Sequence, residues 1–168
     1  KWGQAAPEKL SKAAALEKIS ATELKASLSS GATLLDLRAS TKYREGHVRG
    51  AQWAIRPMLG TLASLKGKSV VVFVEDAAVA ELAALDLTEL GVGKLRVCMA
   101  TKEQCVAVGL DWILTPGEPT DGQSIDYLFF VHDRHDGNKA AARQYLAWEM
   151  NLLAQIDEQE RGAFKLPH

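Results

Sequence analysis

The chain has 168 residues, 47% of them hydrophobic, which is enough to bury the core of one domain with an appendage. Lysine and arginine number 20 against 21 for aspartate and glutamate, so the net charge of −1 gives no reason to expect a nucleic acid or an anionic membrane as partner. No apolar run approaches the roughly 18 residues that a membrane span needs. Two cysteines are too few for a disulfide framework, and they favour a cytoplasmic setting.

The N-terminal residues have the features of a connector. The chain begins with Lys1 rather than methionine and lacks the pattern of a signal peptide, so we expect a piece of a longer, multidomain protein. Pro7 precedes an alanine-rich stretch, and proline is tolerated in a first helical turn. We therefore interpret residues 1–18 as a connector helix that leads out of an upstream region.

Short apolar runs alternate with helical patterns between residues 19 and 113. Strands are predicted where a run is short and rich in branched residues, and helices where a capping residue precedes the run and glycine follows it. The predicted strands are residues 32–37, 51–55, 69–74 and 94–98, and the predicted helices begin at Thr22, Pro57, Ala77 and Thr101. For the third helix, Asp76 is the predicted N-cap and Gly91 the residue at its end. This alternation favours a parallel sheet covered by helices on both faces.

A C-terminal extension follows the alternating region. Residues 114–123 are rich in proline and glycine, which indicates a linker loop. In residues 124–168, we predict a strand from Ile125 to Val131 and a long amphipathic helix capped by Asp136. The apolar face of that helix recurs at spacings of four, three and four residues, at Ala141, Tyr145, Trp148 and Leu152. We expect this face to pack on its own domain, or to contact a sister domain or a second subunit.

A recognisable pattern begins where the first of these strands ends. Asp-x-Arg is followed by an aromatic residue and then by Gly-His-Val-x-Gly-Ala. This pattern resembles the signature of the rhodanese (thiosulfate sulfurtransferase) family, and it is carried by Asp36, Arg38, Tyr43, Gly46, His47, Gly50 and Ala51. The resemblance extends to about residue 112 and implies a five-stranded, mostly parallel α/β sheet with helices on both faces.

The chemistry of the signature residues fits a structural role. Asp36 and Arg38 at a strand end can form charge-assisted hydrogen bonds. Gly46 and Gly50 permit close backbone approach or unusual dihedral angles. Since none of the signature residues is placed as a nucleophile, we interpret them as scaffold.

The loop after the second central strand departs from the family pattern. In rhodaneses that strand ends at a cysteine, and a Cys-x-x-Gly-x-Arg-Ser loop leads into a helix that ends in Leu-Gly. Counting back from Leu90 and Gly91 assigns the cysteine position to Val74. The degenerate loop reads Val74, Glu75, Asp76, Ala77, Ala78, Val79 and Ala80, in which Ala77 stands for the glycine and Val79 for the arginine. The resemblance therefore implies that this domain has no catalytic residue.

The loop departures bear directly on sulfur transfer, which uses a thiolate of lowered pKa at a helix N-terminus. Val74 offers no nucleophile, and Glu75 and Asp76 add negative charge where an anionic donor would sit, at a cost on the order of 1 kcal/mol. The two acidic residues are also ordinary at a helix start, whose dipole they complement. We predict a non-catalytic module of a larger multidomain sulfurtransferase, without a cofactor. Its partners would be sister rhodanese domains in the parent chain or a second copy.

Two other functions stay open at this point. A sulfurtransferase could use a displaced thiol, Cys98 or Cys105, although both have apolar neighbours and favour core packing. A metal or ligand could bind around His132 and His135, which lie beside Asp133 and Asp136. Two histidines alone do not make a structural zinc site, and the loop position favours helix capping, so we predict no metal.

Overall fold

The computed structural model describes residues 16–132 and 138–155. The chain divides into two compact units, the first ending at Thr120 and the second beginning at Asp121. This division falls inside the proline- and glycine-rich stretch 114–123. In the part of the chain that the structure describes, no helix combines the length and the apolar character that crossing a membrane requires.

The first unit is built on a parallel sheet. Its strands are β1 (Glu17–Ile19), β2 (Thr33–Asp36), β3 (His47–Val48), β4 (Gln52–Trp53), β5 (Ser69–Phe73), β6 (Lys94–Cys98) and β7 (Trp112–Ile113). Five of them form one sheet in the order β1-β6-β5-β2-β4, and each neighbouring pair is parallel. β3 and β7 form a separate antiparallel pair. β5 lies at the centre, where its unbroken run of valines is buried on both faces.

Helices cover both faces of this sheet. They are α1 (Ala21–Ser29), α2 (Ser40–Glu45), α3 (Ala77–Leu90) and α4 (Lys102–Ala107), with two 3-10 segments at Arg56–Thr61 and Ala63–Leu65. The predicted boundaries of α3 are confirmed, because the Asp76 side chain accepts a hydrogen bond from the Ala78 amide and Gly91 ends the helix with a φ of 85°. The helix predicted from Pro57 is instead the pair of 3-10 segments.

The alternation of side chains along β5 divides the core into two clusters. On one face, α3 and the 3-10 segments pack against the sheet, with Leu35, Val70, Val72, Leu59, Ala83 and Leu87 at the centre. On the other face lie residues of α1, α2 and α4, with Val71, Phe73, Leu24, Tyr43 and Cys105 at the centre. The prediction of a mostly parallel α/β sheet with helices on both faces is confirmed.

The second unit contains α5 (Phe129–His132) and α6 (Lys139–Gln155), which contact each other. The strand predicted from Ile125 to Val131 is wrong, because residues 124–127 form a turn, in which the Tyr127 amide donates to the Ser124 carbonyl, and α5 then begins. A short apolar run fits a strand or one turn of helix equally well. α6 agrees with the predicted long helix, and the Asn138 side chain accepts a hydrogen bond at its start. Asp136, the predicted cap, lies outside the described residues.

The predicted N-terminal connector helix is wrong for residues 17 and 18, which form a strand. Residues 17–19, most of which were assigned to a connector helix, form β1, and β1 pairs in parallel with β6. Backbone hydrogen bonds to β6 and the burial of Ile19 outweigh the weak helical pattern of a three-residue stretch. The rest of the predicted connector, residues 1–15, lies outside the described residues.

Candidate functional site

The strands of the parallel sheet all end at one edge, which is where α/β proteins bind ligands. Asp36 of β2 is paired with Phe73 of β5, and Phe73 is paired with Cys98 of β6. The register therefore brings together the start of the signature, the loop that begins at Val74 and the first cysteine. This edge is the candidate site to which the family resemblance points.

A buried ion pair opens the signature. Arg38 Nε lies 3.0 Å from Asp36 Oδ1, and Arg38 Nη2 lies 2.6 Å from Asp36 Oδ2, so the contact is bidentate. The Arg38 amide also donates to Asp36 Oδ1 at 3.1 Å. Nη2 makes a further bond of 2.8 Å to the carbonyl of Gly46. The pair thus joins the end of β2 to the second half of the signature.

Aromatic rings enclose the guanidinium of Arg38. Its central carbon lies 5.0 Å from the ring centroid of Phe73 and 5.2 Å from that of Trp112, which are cation–π distances. Trp112 also explains the glycine at position 46, because a Cβ atom on Gly46 would lie 2.0 Å from the indole nitrogen. The sequence reasoning missed Trp112. The available signal was a large aromatic residue near the end of the resemblance, whereas its pairing with β3 is visible only in the folded chain.

Tyr43 and His47 complete the scaffold. The Tyr43 hydroxyl donates to the Ala51 carbonyl at 2.6 Å, and His47 Nδ1 lies 2.9 Å from the Tyr43 carbonyl. The two rings stack with centroids 3.6 Å apart. Burial, together with the nearby Asp36 carboxylate, raises the pKa of Tyr43 to about 12, so the phenol stays protonated and continues to donate. The hydrogen bonds of both side chains are made within the signature.

The loop between β5 and α3 has a different character. The Val74 amide donates to the Cys98 carbonyl at 3.2 Å, and the Val74 side chain is only 2% exposed within the core cluster under α3. Glu75 follows with a side chain that is 64% exposed, and its Oε1 lies 3.9 Å from Arg38 Nη1. Asp76 is also exposed and caps α3. The loop therefore presents two carboxylates to solvent and turns an aliphatic side chain inward.

The small residues that open α3 make no polar side-chain contacts. Ala78 is exposed, Ala77 and Val79 are half-buried, and Ala80 is buried in the core. Gly50, in the signature, has a φ of 81°, a conformation that glycine adopts without strain. Thus the signature uses its special residues for geometry, whereas the loop caps α3 through Asp76 and packs Val74 and Ala80 in the core.

Both thiols lie inside the core. Cys98 and Cys105 are fully buried in the cluster that faces α1 and α4, and neither is in a disulfide. Burial raises the pKa of Cys98 above its ordinary value, and burial also raises the pKa of Cys105, to about 11. A raised pKa lowers the fraction of thiolate, which is the nucleophilic form. The arrangement is that of packed, unreactive cysteines.

The histidine cluster can be followed only in part. His132 ends α5, and its ring stacks on Tyr127 with centroids 4.2 Å apart. Asp133, His135 and Asp136 lie outside the described residues, so the prediction that this cluster holds no metal stays a prediction.

Comparison with known proteins agrees with this geometry. Residues 20–99 match the family model described as a rhodanese-like domain. A search of the curated proteins found no match. The thiosulfate sulfurtransferase from Pseudomonas aeruginosa has a similar fold, with a TM-score of 0.64 and 24% identity over 86% of this chain and 28% of that one.

Two smaller solved structures are also similar. The rhodanese-like domain of a protein from Anabaena sp. is 23% identical, with a TM-score of 0.48 over 67% of this chain and 88% of that one. A rhodanese-related protein from Thermoplasma volcanium is 17% identical, with a TM-score of 0.47 over 58% of this chain and 98% of that one. The match to the family model and the five-stranded parallel sheet identify a rhodanese-like domain in this chain.

Proposed function

We propose that this chain is a non-catalytic rhodanese-like domain that serves as a structural or interaction module of a larger multidomain sulfurtransferase. The observation that carries the proposal is Val74, which stands where the family resemblance expects the nucleophilic cysteine. An aliphatic side chain that is 2% exposed can neither attack a sulfur donor nor hold a persulfide.

The charges around the loop support the same proposal. Glu75 and Asp76 are exposed, and the positions expected to carry glycine and arginine are Ala77 and Val79. Arg38, whose guanidinium lies 3.9 Å from the Glu75 carboxylate, is already bonded to Asp36. An anionic donor at this edge would therefore meet carboxylates, each costing on the order of 1 kcal/mol.

The buried cysteines weaken the case for a displaced thiol. A sulfurtransferase would need Cys98 or Cys105 to ionise and to meet a donor from solvent. Both side chains are fully buried, and burial raises both pKa values. Core packing accounts for their positions without any catalytic role.

The wider setting is part of the proposal. The Pseudomonas aeruginosa chain with a similar fold is named as a thiosulfate sulfurtransferase, and the match spans only 28% of it. We infer that this domain belongs to a longer chain, as the matched part of that protein does, and we propose a cytoplasmic location for it. Its partners would be sister rhodanese domains of that chain or a second copy of this one.

An assay for transfer of sulfur from thiosulfate to cyanide tests the proposal, since it yields thiocyanate and sulfite that are easily measured. We expect no thiocyanate above the enzyme-free rate from this chain, and little from Val74→Cys, because the acidic loop still lacks glycine and arginine. Val72→Cys is the matched control, because it adds a thiol two residues earlier on the same buried face of β5. Adding Ala77→Gly and Val79→Arg to Val74→Cys should raise the rate.

Two outcomes would contradict the proposal. Turnover by the unmodified chain that disappears in Cys98→Ala or Cys105→Ala would establish a displaced thiol. Turnover by the unmodified chain that survives both changes would place the nucleophile elsewhere. Rapid turnover by Val74→Cys alone would leave the non-catalytic role intact but would show that the loop charges oppose sulfur transfer only weakly.

A further inference from the structure

A cavity of about 450 Å³ opens at the carboxyl edge of the sheet, beside β6 and on the side away from β5. It is formed by residues 18–22, where β1 passes into α1, by the residues at the end of β6, and by α4. No residue of the signature or of loop 74–80 lines it. We propose that this cavity binds a small amphipathic carboxylate, with an apolar body against the walls and the carboxylate near Lys18.

The walls account for the apolar body. Most of the lining consists of aliphatic side chains, among them Ile19, Val97, Ala100, Ala107 and Val108. Ligand sites in proteins are mostly apolar and typically measure about 300–1,000 Å³. The position at the carboxyl ends of parallel strands is also where α/β folds place their ligands. The cavity thus has the size, lining and location of a small-molecule site.

The positive charge at the rim of the cavity favours an anionic head group on the ligand. Among the described residues that line the cavity, Lys18 is the one that carries a charge, and no described residue pairs with its ammonium group. The neighbouring carboxylate of Glu23 accepts hydrogen bonds from the amide and the hydroxyl of Ser20, at 2.7 and 2.8 Å. Glu23 is therefore held in the cap of α1, and Lys18 is available to a ligand anion.

Polar groups beside Lys18 can fix the orientation of the ligand. Thr22 and Gln104 also line the cavity, and the Gln104 side-chain oxygen is occupied by the Thr101 amide at 2.9 Å. The Gln104 amide nitrogen can only donate, which again favours an acceptor such as a carboxylate. Binding here needs no nucleophile, so this proposal stands independently of the non-catalytic role.

Octanoate and octan-1-ol, titrated into the protein by calorimetry, separate the two parts of the proposal. We expect both to bind and octanoate to bind more tightly. Lys18→Gln should weaken octanoate binding by roughly two- to fivefold, as expected for an exposed ion pair, and leave octanol unchanged. Ala107→Trp should abolish both, because the indole would take the space that the alkyl chain of either ligand needs. Val106→Trp is the matched control, because Val106 is exposed on the same helix and does not line the cavity.

Amide chemical shifts of the unmodified protein provide a readout that requires no substitution. Octanoate should move the signals of Ala21, Thr22 and Ala107 and leave α6 unchanged. Absence of octanoate binding at millimolar concentration would overturn the proposal. Binding that is equal in Ala107→Trp and Val106→Trp would also overturn it, as would shifts confined to the exposed apolar residues of α6.

Discussion

Two segments meet at the carboxyl edge of the sheet and use their polar residues in opposite ways. In the signature segment, residues 36–51, buried polar groups bond to one another and to backbone carbonyls. In loop 74–80, the carboxylates face solvent and the side chain of Val74 is buried with the core. The contrast indicates that the polar side chains of the first segment are needed by the fold, whereas the exposed Glu75 of the second is not.

The two segments differ in how much stability is lost when one of their residues changes. A buried ion pair such as Asp36–Arg38 cannot lose one partner without leaving an uncompensated charge in the core. A loop residue such as Glu75, mostly in water, can change at little cost to stability. The fold therefore constrains the signature more tightly than it constrains the exposed loop residues, so the signature reports on the fold rather than on activity.

Asp36→Ala should have the largest effect on stability. It leaves the Arg38 guanidinium buried without its carboxylate, which typically costs about 3–5 kcal/mol of unfolding free energy. Urea denaturation followed by circular dichroism measures the loss. Asp111→Ala is the control, because Asp111 forms an exposed ion pair with Arg49 at 3.0 Å, and exposed pairs contribute roughly 0–1 kcal/mol. Equal losses in the two variants would show that the signature pair is not a structural requirement.

Gly46→Ala should have the next largest effect. The new methyl group would lie 2.0 Å from the Trp112 indole nitrogen, so ring or backbone must move, and overpacking of this kind costs about 1–3 kcal/mol. Gly60→Ala is a matched control, since a Cβ atom there meets nothing within 4 Å. Replacing Trp112 with leucine should recover part of the loss in Gly46→Ala. Lack of recovery would assign the cost to the backbone conformation of residue 46 instead.

Much of the sheet could be predicted because its signals are local. β5 is a continuous run of branched residues, and α3 carries its own cap and stop residues in Asp76 and Gly91. Residues 17–19 and 125–131 were misassigned because short stretches take their structure from tertiary partners. β1 depends on pairing with β6, and α5 depends on packing against α6.

The candidate site, too, could be predicted from the sequence only in part. The signature residues could be named from their spacing, but the contact of Arg38 with the Gly46 carbonyl and the approach of Trp112 to Gly46 depend on the folded chain. The cavity beside Lys18 left no sequence signal at all, since its lining comes from three separate stretches of chain. The sequence therefore predicted which residues belong to the signature, but it did not predict the contacts that they make.

The smallest expected effect concerns the two thiols, which lie in the core and outside both segments. Burial raises the pKa of Cys105 from its ordinary value of 9.0 to about 11. Well below pH 9 the thiol is neutral in both the folded and the unfolded chain. The stability contributed by burying the neutral Cys105 side chain is then fully present. As the pH rises through 9 toward 11, the unfolded chain ionises first, so stability falls.

Between pH 8 and pH 10 the unfolding free energy should therefore lose on the order of 1 kcal/mol through Cys105. In Cys105→Ala that part of the pH dependence should disappear, while the contributions of other groups cancel between variants measured at the same pH. Tyr43, with a pKa near 12, adds a loss that begins only above its ordinary value of 10.0 and is common to both proteins. An unchanged slope in Cys105→Ala, or rapid reaction of the native thiols with a disulfide reagent at pH 8, would mean that these cysteines are accessible and would reopen the case for a displaced nucleophile.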